Sequence, residues 1–281
     1  MEKLEAMLGN LESTAPTEDN ISDLSNSMNM VFRLAMDIAS DSFVEKGFNV
    51  SRAAYELSRS KDMALNAYKF AKAMSFRTKN PEWAGKWIDF SNILNSDNLR
   101  DYYSASRLLL EEYKNTGDEE LLKKSVSIIK RGVSKCVYEI REVRKAIKSN
   151  RKKVEFMGKK REKRTHIEDL MRTGNQLKFE CSDLERLYSG SAGLFLDCNR
   201  EMYELTKDVC LLRKNSYIAA FSADIVKDRK LKGRFYKQAG YFLIKFCNKQ
   251  KKKMDEEKRQ GLKARALAYS EKGDKLLSSG I

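Results

Sequence analysis

The sequence predicts an all-α fold, and three observations support this prediction. The 281 residues include only two prolines and 14 glycines, and a chain so poor in helix breakers suits long helices joined by short polar links. Apolar residues recur at three- and four-residue spacing, as at Val31, Leu34, Ala35 and Ile38, which marks the apolar face of a helix. Turn-like clusters between residues 58 and 118 recur at intervals of about 17–20 residues, which is typical of stacked antiparallel helix hairpins.

Residues 1–27 are expected to form an acidic, disordered leader. They hold six carboxylates and one lysine, a net charge of −5, and they are rich in Ser, Thr and Asn, which favours disorder. Because the whole chain carries +15, the remaining residues carry +20. This imbalance predicts a partner of negative charge, or a leader that folds back over the basic body.

Residues 28–132 are predicted to form a helix-hairpin repeat region. Tyr113 stands four residues before Gly117 and Asp118, and aliphatic residues follow in the next helix. Over residues 50–132 this arrangement resembles a tetratricopeptide repeat, in which an aromatic residue packs four residues before a Gly-Asp-type turn. The resemblance implies a superhelix of stacked hairpins. The next helix departs from the family pattern, with Leu122 where alanine is usual.

Residues 133–214 are expected to form long basic helices. An apolar stripe continues through them, and no proline interrupts it, so one or two long central helices are predicted. Further helices are expected at about 166–188 and 191–214, separated by the Ser-Gly-Ser sequence that follows Tyr188.

Residues 215–281 are predicted to form a three-helix unit with breaks at 228–233 and 253–257. Their sequence resembles the three-helix microtubule-interacting-and-trafficking domain of membrane-remodelling systems. The residues that carry this resemblance are Tyr236, Ala239, Tyr269 and Leu276. Gly273 stands where that family usually has alanine.

No catalytic pattern is present in the sequence, so the protein is expected not to be an enzyme and to bind no cofactor or metal. The chain has one histidine, His166, and lacks the glycine-rich phosphate loops and the HExxH and GxSxG patterns. Its five cysteines are irregularly spaced, which argues against a zinc site or a disulfide framework and favours buried, reduced thiols.

The strongest local anomaly is the basic segment from Arg141 to His166. It contains twelve Lys and Arg residues against three Glu residues, a net charge of +9. Such a segment attracts polyanions, because neutralised phosphates release counterions, although solvated helix faces are also rich in charge. Phe156 is its only aromatic residue, so any nucleic-acid contact would be sequence-nonspecific. The candidate polyanion-binding residues are Arg151, Lys152, Lys153, Lys159, Lys160, Arg161, Lys163 and Arg164.

These features together predict a non-catalytic scaffold or adaptor that binds a protein partner through an acidic or amphipathic segment. The alternative is sequence-nonspecific binding of nucleic acid or an anionic membrane by residues 141–164. No apolar stretch approaches the roughly 20 residues of a membrane-spanning helix, and the chain does not open with a signal-peptide pattern. The protein is therefore expected to be soluble and cytoplasmic.

Overall fold

A computed structural model of the chain describes residues 2–17, 19–94, 98–159, 164–251 and 253–278, apart from the side chains of Lys3, Gly158, Lys159 and Arg164. Within these ranges the protein has eleven helices and no strand, and consecutive helices pack against one another. The predicted all-α fold class is confirmed. The chain divides into two compact units, Met1–Ile128 (unit 1) and Ile129–Ile281 (unit 2).

Unit 1 contains six complete helices and the start of a seventh. They are α1 (Glu2–Ser13), α2 (Ile21–Asp37), α3 (Asp41–Ser58), α4 (Lys61–Thr78), α5 (Pro81–Ile93), α6 (Leu99–Thr116) and α7 (Glu119–Lys159). The boundary between the units falls within α7. Unit 2 contains the rest of α7 and four further helices, α8 (Arg164–Thr206), α9 (Cys210–Ile225), α10 (Arg229–Lys249) and α11 (Glu256–Ser278).

Two stretches within the first 27 residues are helical, Glu2–Ser13 and the part of α2 that begins at Ile21, which corrects the disorder expected for them. Leu4 and Leu8 of α1 lie one helical turn apart and are buried in the core of unit 1, where α1 packs on α2 and α3. Burial of these two side chains offsets the conformational entropy lost on ordering the polar residues around them. The acidic residues of α1 lie largely in solvent.

Four links between helices share one hydrogen-bond pattern. A Ser or Thr at the end of the first helix accepts a hydrogen bond from the backbone N–H two residues later. The middle residue has a positive φ, between 54° and 75°, which ends the helix. The third residue is a Ser, Asn or Asp whose side chain caps the next helix. The links are residues 58–60, 78–80, 116–118 and 206–208.

The turn predicted at Gly117 and Asp118 is one of these four links. Gly117 donates its N–H to the Tyr113 carbonyl at 2.7 Å, and Asp118 accepts from the N–H of Glu120 at 2.9 Å. Tyr113 packs half-buried against the core of unit 1. The aromatic residue and the turn therefore act together to join α6 to α7.

The core of unit 1 combines aromatic packing with close helix approaches. Phe48 meets Trp83 and Phe90 edge to face, with ring centroids 5.0 and 5.8 Å apart. Ser106 of α6 and Ser125 of α7 each donate a hydroxyl hydrogen bond to the other's backbone carbonyl, at 3.0 and 2.8 Å. Such contacts require two helix backbones to lie close together, and small side chains permit this.

α8 runs without interruption through Tyr188 and Ser191, so the helix break predicted there is wrong. Tyr188 is fully buried, its hydroxyl lies 3.0 Å from the hydroxyl of Ser222, and burial raises its pKa to about 12. Tertiary packing of this kind outweighs the cost of a glycine within a helix, which is about 1 kcal/mol. The helix expected at 191–214 is instead divided by the link at 206–208.

Candidate functional site

The three C-terminal helices pack in sequence, with α10 against both α9 and α11. Two glycines allow α10 and α11 to come very close. A Cβ added at Gly240 would lie 2.7 Å from the carbonyl oxygen of Ala266, and one at Gly273 would lie 2.8 Å from that of Gly233. The close approach of α10 therefore leaves no room for a side chain at Gly273.

Tyr236 of α10 joins the two outer helices through its hydroxyl group. This hydroxyl donates a hydrogen bond to Asp224 Oδ1 of α9 at 2.6 Å and accepts one from Lys272 Nζ of α11 at 2.7 Å. Burial and the bond to Asp224 raise the pKa of Tyr236, while the bond to Tyr236 raises the pKa of Lys272. This chain of contacts links α9 and α11 through Tyr236 of α10.

A second set of contacts joins α9 to α11 farther along the same surface. The Arg265 guanidinium carbon lies 5.9 Å from the ring centroid of Tyr217 and 5.6 Å from that of Tyr269, and Arg265 Nε donates to Tyr269 Oη at 3.1 Å. Because the two sets of contacts occur in the same order along α9 and α11, these helices run parallel. We call this surface the α9–α11 face, defined by Arg213, Tyr217, Phe221, Asp224, Tyr236, Arg265, Tyr269 and Lys272.

Two aromatic rings on the α9–α11 face are open to solvent, and Arg213 and Arg265 lie beside the ring of Tyr217. Tyr217 is 47% exposed and Phe221 is 42% exposed. Arg213 donates a hydrogen bond to Tyr217 Oη at 3.3 Å and thereby lowers the pKa of Tyr217. The carboxylate of Asp224 already accepts from Tyr236, so the face combines exposed aromatic surface with an excess of positive charge.

The second candidate surface is formed by the end of α7 and the start of α8. Half-buried residues recur at alternating spacings of three and four, at Ile147, Asn150, Val154 and Met157 on α7 and at Ile167, Leu170, Gly174 and Leu177 on α8. This is the spacing of a two-helix coiled-coil seam. Among the described residues between 144 and 180, none is buried. The two helices meet at one seam position, where a Cβ added at Gly174 would lie 3.1 Å from Asn150 Oδ1. We call residues 144–159 and 164–180 the basic arm.

The base of the basic arm is fixed by a buried ion pair. Glu185 of α8 is only 7% exposed and accepts a hydrogen bond from Arg144 Nη2 of α7 at 2.9 Å. Arg144 also donates to the carbonyl of Ile225, and Glu185 accepts from the N–H of Lys227 at 3.2 Å. Arg144 thus joins α7 to α8 and to the end of α9, and Glu185 joins α8 to the link after α9. Arg144 is therefore not available to a ligand.

Three of the predicted polyanion-binding residues have side chains that the structure describes, and all three lie on the basic arm. Lys152 and Lys153 are exposed, whereas Arg151 forms an ion pair with Glu155 at 2.9 Å. Lys159 and Arg164 lie in α7 and α8, but their side chains are outside the described part. Lys160, Arg161 and Lys163 lie outside the described residues.

The residues predicted to define the C-terminal unit pack between its helices. Ala239 is buried, and its carbonyl accepts from the Ser216 hydroxyl at 2.8 Å. Tyr236 is buried with its ring stacked on that of Tyr269, 6.0 Å away, and Leu276 is half-buried.

Among the cysteines, 136, 181, 198 and 247 are buried and only Cys210 is exposed, so the expectation of buried thiols fails at that one position.

Sequence reasoning missed the aromatic residues of α9. Tyr217 and Phe221 lie four residues apart, on a different side of the helix from the buried Ala219 and Ala223. The available signal in the sequence was this aromatic stripe, which runs along α9 beside the stripe of small residues. It could not show which other helix would lie beside it, because α9 and α11 are brought together by α10.

No protein-family model and no curated protein sequence matches the chain. Among solved structures it is similar to the crystal structure of the de novo designed helical repeat protein DHR64, with 14% identity, 98% of this chain and 96% of that chain covered, and a TM-score of 0.26. It is also similar to the DHF58 filament, with 13% identity, 98% and 99% coverage, and a TM-score of 0.26. TM-scores this low carry no argument about function. No helix in the described part of the chain is long and apolar enough to cross a membrane.

Proposed function

We propose that this protein is a non-catalytic cytoplasmic scaffold whose α9–α11 face binds an acidic, amphipathic segment of a partner protein. The observation that carries the proposal is the exposed ring of Tyr217, which lies between Arg213 of its own helix and Arg265 of α11. The exposed ring of Phe221 lies one turn farther along α9. Aromatic residues and arginine are the side chains most enriched where proteins bind one another.

The geometry favours a helical segment as the ligand. Two parallel helices that flank a third can leave a shallow groove between them, and an amphipathic helix binds such a groove with apolar residues at three- and four-residue spacing. Acidic residues beside that apolar stripe would meet the arginines on both sides of Tyr217. Unit 2 carries a net charge of +19, so it also attracts an acidic partner over a longer range.

As part of this proposal, α9–α11 form a unit similar to a microtubule-interacting-and-trafficking domain, and residues 50–132 form hairpins similar to tetratricopeptide repeats. The stack of Tyr236 on Tyr269 supports the first similarity. The half-buried Tyr113 beside the Gly117–Asp118 turn supports the second. Both classes of helical module suit a scaffold better than an enzyme.

The experiment is a selection of short displayed peptides, drawn from natural protein sequences, against the full-length chain. We expect the enriched peptides to be acidic and to carry apolar residues at helical spacing. Their affinities are then measured by fluorescence anisotropy for the wild type and for the double variant Tyr217→Ser/Phe221→Ser. Loss of two interface aromatics is expected to weaken binding at least tenfold.

The matched control is Tyr241→Ser/Leu267→Ser, which removes two large hydrophobic side chains that are at least as exposed and do not belong to the α9–α11 face. Its affinity is expected to equal that of the wild type. Arg265→Glu should weaken binding of acidic peptides and leave the far-UV circular dichroism unchanged. Enrichment of basic peptides, or equal losses in the face and control variants, would contradict the proposal.

A further inference from the structure

The outer face of the basic arm carries a line of cations. Lys145, Lys148 and Lys152 are three and four residues apart on α7 and are all exposed, so they share one side of the helix. The seam residues Ile147 and Val154 lie on the opposite side. About 22 Å of helix extends from residue 144 to residue 159, at about 1.5 Å per residue, so the line is long enough to contact several anionic groups at once.

Part of this charge is not neutralised within the protein. Lys145 pairs with Glu142 and Arg151 with Glu155, but Lys148, Lys152 and Lys153 form no ion pair with any residue that the structure describes. The outer face of α8 is different, because Glu168 and Asp169 there offset the charge of Arg172. The arm is therefore basic on its α7 side.

Phe156 continues the same line, four residues after Lys152, and it is 58% exposed. A large aromatic ring in the middle of a basic helix face is typical of helices that lie in the interface of a membrane, where the ring enters the headgroup region. Duplex nucleic acid binds through its phosphates and gains little from one phenylalanine, and single-stranded nucleic acid requires several stacking rings. The cations are mainly lysines, which act as point charges and do not recognise one phosphate in a bidentate way.

We infer that the α7 side of the basic arm binds an anionic membrane surface, with its lysines among the lipid headgroups and Phe156 inserted between them. The site is separate from the α9–α11 face. It brings the protein to a membrane peripherally, by one side of one helix. The partner segment and the membrane could then be bound at the same time by one scaffold.

The test is sedimentation of the full-length chain with vesicles of phosphatidylcholine mixed with phosphatidylserine, and with vesicles of phosphatidylcholine alone. Binding is expected only to the first, and it should fall as the salt concentration rises. Each lysine close to an anionic surface contributes roughly a factor of five, so Lys148→Ala/Lys152→Ala/Lys153→Ala should weaken binding about 100-fold. Phe156→Gln should weaken it about tenfold.

The matched control is Lys249→Ala/Lys251→Ala/Lys253→Ala, which removes the same charge from exposed positions at the end of α10 and just after it. It should weaken vesicle binding less than about threefold; a loss equal to that of the arm variant would overturn the inference. So would binding to a short DNA duplex that is tighter than vesicle binding and unchanged by Phe156→Gln. The variant Tyr217→Ser/Phe221→Ser should bind vesicles like the wild type. Vesicle binding therefore tests the membrane inference independently of the peptide binding that tests the proposed function.

Discussion

Residues 1–128 carry a net charge of −4, whereas residues 129–281 carry +19, although both units are built only of helices in their described parts. Unit 1 joins its helices through three of the four short capped links and packs them around aromatic residues. Unit 2 contains one such link and holds its helices by a buried ion pair and a close approach at glycines. The comparison indicates that unit 1 is chiefly a packed framework and that unit 2 presents positively charged surfaces on rigid supports.

Each unit contains a buried carboxylate, and the two carboxylates have different roles. Asp101 in unit 1 is 2% exposed and accepts hydrogen bonds from Lys72, at 3.0 Å, and from Tyr68. These contacts lie between α4 and α6, within the framework. Glu185 in unit 2 fixes the base of the basic arm through Arg144. Removing either carboxylate should therefore destabilise one unit selectively.

The largest effect is expected for Glu185→Ala. Removal of one partner of a buried ion pair leaves the other charge without compensation, and this costs about 3–5 kcal/mol. Because Arg144 is less buried than Glu185, we expect a value near the lower end of that range. Hydrogen exchange followed by mass spectrometry should show faster exchange in α8 and in the α9–α10 link, and unchanged exchange in α3–α5.

Asp101→Ala is the control for this prediction, because it should accelerate exchange in α4–α6 and not in α8. The double variant Arg144→Met/Glu185→Met removes both charges and should recover most of the stability lost in Glu185→Ala. Equal exchange changes in both units after either single substitution would contradict the view that the two units are stabilised separately.

Smaller changes in stability, of opposite sign, are expected when two glycines of α11 are replaced by alanine. Gly261 has open space around it, whereas a Cβ at Gly273 would meet Gly233 and Lys237 of α10. In a helix, alanine is better than glycine by about 1 kcal/mol, so Gly261→Ala should stabilise unit 2. Gly273→Ala should destabilise it by about 1–2 kcal/mol net, because the close approach of α10 and α11 must open.

Urea unfolding monitored by the same exchange method measures both glycine variants. Stabilisation by both would show that α10 and α11 are farther apart than the structure places them. Destabilisation by both would show that the residues around Gly261 are also in close contact.

The sequence predicted the elements that depend on local patterns. The three C-terminal helices follow from breaks at residues 226–228 and 250–255, close to the expected positions. Burial of Leu4 and Leu8, and continuation of α8 through Ser191, depend on packing against distant segments, so local patterns could not show them. The α9–α11 face was unpredictable for the same reason, since Tyr217 and Arg265 meet only after three helices have packed.

One missed feature was visible in the sequence. Thr206-Lys207-Asp208 repeats the pattern of Thr78-Lys79-Asn80, yet it lies within the range that was expected to be one helix, 191–214. Tyr203 precedes that link by three residues, as Tyr113 precedes Thr116 and Tyr55 precedes Ser58. In each case a tyrosine is followed three residues later by a Ser or Thr, and two residues after that by the residue that caps the next helix. This shared spacing would have predicted that α8 ends at Thr206.

The smallest effects are expected at the middle residue of these links, where the two units can be compared directly. Gly117 in unit 1 and Lys207 in unit 2 both have a positive φ, 75° and 54°, a conformation that costs a side-chain-bearing residue about 1 kcal/mol. Gly117→Lys should therefore destabilise unit 1 by about 1 kcal/mol. Lys207→Gly relieves the same strain but should stabilise unit 2 by only about 0.5 kcal/mol, because the greater backbone entropy that glycine loses on folding offsets part of the gain. Thermal unfolding and local hydrogen exchange measure both. If the link is an independent element, the changes have opposite signs and stay within the unit that was altered; a loss of stability in both variants would show that Lys207 contributes contacts that a turn residue does not need.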